Sequence, residues 1–461
     1  MRRIQAGVQP ASPMPRGQWW FARRAAVGLL GISLMTGCIG FADDSLTDFD
    51  RFAGPQGHWV DVDASVMSYA SADADPAQDV AAILAAGQNL DWLVLVDHSS
   101  STGSGADCPT DAAFVELARC HAAHPNQGPD FELPGDTRLE AGGQIVVGSR
   151  MTPASFVGAE QPAGGLGLVD CLPGDPAAFA TTMPIIDRPL DAVTGGTMLA
   201  DCRDRGGLAV LAAPFGTTRE AMVGTAWDWS SPAWDGVEVF AGPVWDDEDE
   251  AAWRLLVCAR LADRDVFAVG GSNAHGGEPR GPVAQSPIGS TRTRVWVDGN
   301  DWAHVAAGLR QRRTVVQSAD AELDVRVYGP TGAWLGMAGD DLSAGSGDEL
   351  RIALRGKAPG PGRVRLDVVA PGACSALPTT SRPQAPTLQD ERIIDFAVCP
   401  DGPCTFELRG VWEADADSLL VARFDSEGGP TKTMAAAAPM RVRLSRSLID
   451  ALPLAPPGGM P

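Results

Sequence analysis

Between residues 56 and 317 short apolar runs alternate with stretches whose apolar residues recur at helical spacing. The runs Val60–Val62, Trp92–Val96, Ile145–Gly148, Leu208–Ala212, Val237–Phe240, Val266–Val269 and Arg294–Val297 are short and apolar on both sides of the pleat. Parallel strands covered on both faces have that pattern. The spacing predicts a helix over Pro76–Ala86, with Asp75 as its cap, Pro76 in its first turn and Gly87 as its stop. A second helix is predicted over Glu248–Ala262, acidic in its first turn and apolar along Trp253, Leu256, Val257 and Leu261. A third is predicted over Trp302–Gln311. Strands and helices alternating in this way imply an α/β barrel or a doubly wound sheet.

After Ser318 the period changes. Leu323–Tyr328, Leu350–Leu354, Val364–Val369, Ile393–Val398, Phe406–Val411, Leu419–Phe424 and Met440–Leu444 read as strands separated by Gly, Pro and Asp turns, with no long helix between them. Residues 318–450 are therefore expected to form a separate all-β sandwich. The Pro/Gly-rich tail, 451–461, is expected to be disordered.

Composition adds a leader and an acidic balance. Residues 1–37 carry Arg2, Arg3, Arg16, Arg23 and Arg24, no acidic residue, and the apolar run Ala25–Met35. A basic start, a short apolar run and small residues describe a secretory signal, too short to span a bilayer. Cys38 directly follows Thr36-Gly37, as in a bacterial lipobox, so Cys38 is the expected lipidation site and 38–55 a linker from the anchor. The alternative is a plain secretory signal with an incidental cysteine. Losing the leader's five arginines takes the formal charge from -22 to -27. With no basic stripe in the remainder, nucleic acid is not an expected partner. Eight cysteines remain, an even number that suggests disulfides in an exported chain. Proximity favours Cys108–Cys120 and Cys399–Cys404. Cys108, Cys120, His121 and His124 also admit a zinc reading, against which a disulfide is favoured because no paired CxxC is present.

Chemistry is expected where strands end. Trp92-Leu-Val-Leu-Val runs into Asp97-His98, and Val266-Phe-Ala-Val-Gly-Gly-Ser runs into Asn273-Ala-His275. In a parallel barrel the C-terminal strand ends face the site. Asp61 and Asp63 lie two apart, hence on one face of the first strand.

Taken in order, these pieces resemble the PHP superfamily of metal-dependent phosphoesterases, in particular its secreted CehA/McbA-like branch, over about residues 56–317. Gly206-Gly207-Leu208 to Pro214-Phe215, Gly236-Val-Glu-Val-Phe240, Gly270-Gly-Ser-Asn-Ala-His275 and Arg292-Thr-Arg-Val-Trp-Val-Asp298 keep the frame. The resemblance implies a distorted seven-stranded β/α barrel holding up to three metal ions, mainly on histidines. Position by position, Asp61 and Asp63 stand where His-x-His belongs; Asp97, His98 and His275 are retained; Asn273 replaces Asp. Arg150 falls where a bridging Glu is expected, Gly165 near an expected His, and Ala213 where a His precedes Pro.

Only six histidines are present, and two of them fall on ligand positions. A guanidinium at Arg150 would repel metal ions and could instead pair with Asp61, Asp63 or Asp97. The preferred expectation is a non-catalytic binding or scaffold protein on a decayed hydrolase frame. The competing one is a phosphoesterase with a remodelled site of Asp61, Asp63, Asp97, His98, Asn273 and His275. A third is that these polar residues merely line the barrel mouth. The expected cofactor is none, or a single divalent ion (Mg, Mn or Zn) held with reduced affinity. Expected partners are the membrane, through the lipid anchor, and a small-molecule or cell-envelope ligand, with the protein in the periplasm or on the outer membrane. Cys38→Ser is expected to move the exported chain from the membrane to the soluble fraction, measured by fractionation; an unchanged distribution would count against the anchor.

Overall fold

The computed structural model describes residues 54–67, 78, 80–96, 137–138, 144–151, 168–174, 195–204, 206–215, 233–276, 286–374, 391–414, 416–427 and 432–445. In the first part of the chain these form β1 (His58–Val66), α1 (Val80–Ala86), β2 (Trp92–Leu95), β3 (Thr137–Arg138), β4 (Gln144–Val147), β5 (Ser149–Met151) and β6 (Leu168–Pro173). There follow α2 (Gly195–Asp204), β7 (Gly207–Ala212), β8 (Gly236–Ala241), α3 (Asp247–Leu261), β9 (Phe267–Gly271), β10 (Thr291–Val297), α4 (Trp302–Arg310) and β11 (Thr314–Ser318). The second part has strands alone: β12 (Glu322–Tyr328), β13 (Trp334–Met337), β14 (Asp341–Gly345), β15 (Glu349–Ala358), β16 (Gly362–Val369), β17 (Glu391–Val398), β18 (Cys404–Glu413), β19 (Ser418–Ser426), β20 (Lys432–Ala437) and β21 (Met440–Ser445).

The fully apolar runs are the parallel strands. β1, β2 and β4 pair in parallel, as do β7, β8 and β9. β10 and β11 join β1 antiparallel, and β5 and β6 join β7 antiparallel. The two groups lie in different sheets. Their inner faces meet across Val60, Val62, Val94, Val146, Leu172, Leu208, Val210, Val269 and Val295. Among the described residues, the region of β9 is tied to the first sheet at several points. The Val66–Ala274 bridge is one. The Thr293 hydroxyl is another: it accepts the Gly270 N–H at 2.7 Å and donates to the Gly270 carbonyl at 2.8 Å.

The second part is two facing sheets. β13-β12-β15-β18 packs Val325, Val327, Ile352, Leu354 and Leu408 against Val364, Leu366, Leu420, Phe424 and Val442. The boundary expected after residue 317 falls inside β11. That strand pairs with β10 on one side and β20 on the other, so one 12-stranded sheet runs through both parts. The two parts therefore share a hydrogen-bonded sheet.

Helix α3 fills the angle between them. Its capping box is built from Asp246 and Asp249. The sequence shows one apolar stripe, but Leu255, Cys258, Ala259 and Arg260 are buried as well. The cause is a second neighbour. One side of α3 packs on Val169, Leu211, Val237 and Val239 of the five-stranded sheet. The other meets Val316, Val369, Leu419 and Val421 of the long one. A helix covered on both sides loses its polar face.

Arg260 is fully buried on α3. Its guanidinium donates to Asp341 at 2.5 Å, Asp265 at 3.2 Å, and the Arg264 and Gly339 carbonyls. Burial pushes its pKa down to about 10, helped by the nearby Arg441 and Arg312. Burial raises the Asp341 carboxyl, but the Arg260, Arg441 and Arg312 charges outweigh it and the net shift is downward. Arg423 bridges back to Glu250 of α3 at 2.9 Å. Three disulfides are described: Cys399–Cys404, as proximity suggested, Cys171–Cys202 between β6 and α2, and Cys258–Cys374 between α3 and the segment after β16. Cys108 and Cys120 lie outside the described residues.

Truncating one partner of a buried ion pair strands the other charges. Arg260→Ala is expected to cost about 3 kcal/mol, while Arg254→Ala, at an exposed i,i+4 pair with Glu250, should cost under about 0.5 kcal/mol, both read from urea melts. Equal losses would contradict the assigned role of Arg260.

Candidate functional site

The expected site divides into residues the structure brings together and residues it does not. β1 ends beside the turn after β9. Met67 donates its N–H to the Ala274 carbonyl at 3.0 Å, so β1 meets the Asn273-Ala274-His275 segment directly. Gly271 permits the approach: a Cβ there would lie 2.5 Å from the Cβ of Ser65. Asn273 has φ of 51°, a left-handed conformation that Asn tolerates better than most residues. The His275 Nδ1 lies 2.8 Å from the Asn273 carbonyl, which fixes the ring on its own turn.

Asp63 holds this junction. Its Oδ1 accepts the Ser272 N–H at 2.9 Å and the Ser65 N–H at 3.3 Å, and its Oδ2 accepts the Gly289 N–H at 2.8 Å. The side chain is completely buried. Burial raises its pKa to about 6, against the lowering effect of those hydrogen bonds.

Asp61 has a different task. Its carboxylate meets Arg292 at 3.0 Å and Arg294 at 3.3 Å, and its N–H donates to the Asp91 carboxylate. Burial raises its pKa, and the two arginines work the other way. The strand alternates, with Val60, Val62 and Ala64 facing the apolar interior, so Asp61 and Asp63 occupy the opposite face. The pleat sets the aliphatic positions of β1 inward, while Asp63 sits at the junction that leads into Asn273 and His275.

The cations on Asp61 come from β10, and the β5–β6 register sets Arg150 opposite the buried Asp170. Asp97, His98, Gly165 and Cys38 lie outside the described residues. Ala213, where a histidine was anticipated, has φ of 37° and donates its N–H to Glu238 at 3.0 Å.

Glu238 and Asp249 escaped the sequence reading. Glu238 is a buried carboxylate on β8, legible in retrospect as the acid inside Gly236-Val-Glu-Val-Phe240. Asp249, in the first turn of α3, accepts the Ala241 and Asp246 N–H groups. Burial raises its pKa strongly, and the Asp246 and Glu238 charges add to the effect. Both acids are tied into backbone bonds, Glu238 to the Ala213 N–H and Asp249 to Ala241 and Asp246.

A cleft of about 440 Å³ opens on the outer side, lined in part by Asn89, Leu90, Ile288 and Arg292. The Arg292 amino groups are taken by Asp61 and by the Ala319 carbonyl. Among the described residues, no three of His, Cys, Asp and Glu form a group able to hold a metal ion.

No family model matches the chain, and no curated protein matches it. Among solved structures it is similar to a two-domain protein containing a predicted PHP-like metal-dependent phosphoesterase from Bacteroides vulgatus ATCC 8482. That likeness has a TM-score of 0.35 and 12% identity over 87% of this chain and 100% of the other. It is also similar to endonuclease Q, solved with a 27-mer duplex carrying an abasic lesion at its active site, with a TM-score of 0.32 and 13% identity over 54% of this chain and 56% of that one. The second also corrects the exclusion of nucleic acid: a protein among these neighbours binds DNA, and net charge, a global sum, does not remove that class of partner.

The raised Asp63 pKa has a sign that can be measured. Between the unfolded value of 3.8 and about 6 the folded state holds the proton more tightly. Stability from this group is therefore full below that window and falls as pH rises through it. Asp63→Asn should remove that slope and cost about 1–3 kcal/mol through a mispaired buried amide. Urea midpoints from about pH 4 to about pH 6.5 test this; parallel profiles for the two proteins would refute it.

Proposed function

We propose that this chain is an exported, lipid-anchored protein with a PHP-like frame that acts by binding or scaffolding and does not turn over phosphoesters. The observation that carries this reading is the fate of the first strand. Its inward positions are Val60, Val62 and Ala64, and its two carboxylates are committed, Asp61 to Arg292 and Arg294 and Asp63 to three backbone amides. Water activation at a multi-metal centre needs several anionic or imidazole ligands converging on the ions. Here the converging side chains are aliphatic. Export is supported by the leader and by the three described disulfides, which suit an oxidising compartment.

The test uses the purified mature protein. Metal content should be substoichiometric, and hydrolysis of generic phosphomonoesters and phosphodiesters should not rise with added Mg, Mn or Zn. Metal-dependent turnover lost in His98→Ala or His275→Ala would overturn the proposal in favour of a hydrolase with a remodelled site.

A further inference from the structure

We propose that the Cys258–Cys374 disulfide is a redox latch, opened from the Cys374 side by a dithiol reductant, that controls how firmly α3 holds the turns beside the candidate site. This does not depend on whether that site is catalytic.

Helix α3 is fastened at both ends. At its N-terminus Asp249 holds the Ala241 N–H, the last residue of β8. The next residue, Gly242, donates its N–H to the Gly271 carbonyl and takes a hydrogen bond from the Thr291 hydroxyl. Gly271 leads straight into Ser272, Asn273 and His275. At its C-terminal half α3 is fastened to the strand-only part through Cys258, through Arg260 to Asp341 and Gly339, and through the Arg441 guanidinium on the Arg260 carbonyl. One helix thus links the inter-part junction to the site turns, and the disulfide closes the longest loop of the three described, 116 residues against 31 and 5. Opening that loop frees the most chain.

Access distinguishes the bonds. Cys171 and Cys202 are both fully buried. Cys258 is 2% exposed, but Cys374 is half-buried and lies at the end of a surface turn. Cys399–Cys404 is also reachable through half-buried Cys404, yet it closes only a short hairpin loop. Thiol–disulfide exchange requires the attacking thiolate to reach one sulfur in line. In the step proposed, a reductant thiolate attacks the Cys374 sulfur and Cys258 leaves as thiolate. The reductant's second thiol then resolves the mixed disulfide. Two electrons and two protons pass to the cysteines, and the dithiol becomes a disulfide.

The experiment treats the folded mature protein with dithiothreitol, traps free thiols by alkylation, and follows amide exchange by mass spectrometry. Cys258 and Cys374 should be trapped at least about tenfold faster than Cys171 and Cys202, with exchange rising about tenfold across residues 242–249 and 271–275. Equal resistance of the two bonds, or reduction that leaves exchange in those segments unchanged, would overturn the latch. The double variant Cys258→Ser, Cys374→Ser should show the same faster exchange without reductant; a wild-type exchange pattern in it would also overturn the proposal.

Discussion

The burial of α3 on both sides is the constraint on which the rest of the molecule depends. A helix between two sheets presents apolar residues over most of its surface, and here Trp253 and Leu255 to Ala259 are buried while Arg254 reaches solvent. Arg260 is different: a guanidinium with no exposure, held by carboxylates and carbonyls from both parts of the chain. Its two terminal nitrogens are occupied by groups from both parts, which favours one relative placement of the sheets it joins. The 12-stranded sheet passing through β11 and β20 makes the same connection by backbone bonds.

That arrangement also explains the state of the site turns. The N-terminus of α3 steadies the end of β8, β8 steadies β9, and Asp63 fastens the turn after β9 to β1. Asp61 and Asp63, which look from their spacing like a ligand pair, act as a surface ion-pair member and as a buried backbone staple. Their chemistry is spent on holding strands together. The inward face of the first strand is left aliphatic.

Much of the fold was legible in the sequence because the signals were local. The helix predicted over Glu248–Ala262 is Asp247–Leu261, and the apolar runs from Trp92 to Val269 became strands within about two residues of their expected ends. What escaped was set by distant contacts. β20 reads as an alanine-rich segment with helical propensity, yet pairing with β11 and β19 makes it a strand. α2 opens on Gly195-Gly196, poor helix formers, and is secured by packing and the Cys171–Cys202 bridge. Of the candidate site, the strand end that leads into Asn273 and His275 was legible, and the face taken by Asp61 and Asp63 was not. Two carboxylates at i and i+2 share a face, and sequence does not say which one. Glu238 and Asp249 were passed over because one sat in an apolar strand and the other in an acidic run that suits a helix start.

The central claim is that the Asp61 and Asp63 carboxylates serve the frame and hold no metal. Manganese soaked into crystals of the mature protein and located by anomalous scattering tests it most directly. The account predicts no anomalous peak within coordination distance of Asp61 or Asp63, with Asp61 still on Arg292 and Arg294. A manganese ion bound by either carboxylate together with His275 would contradict it.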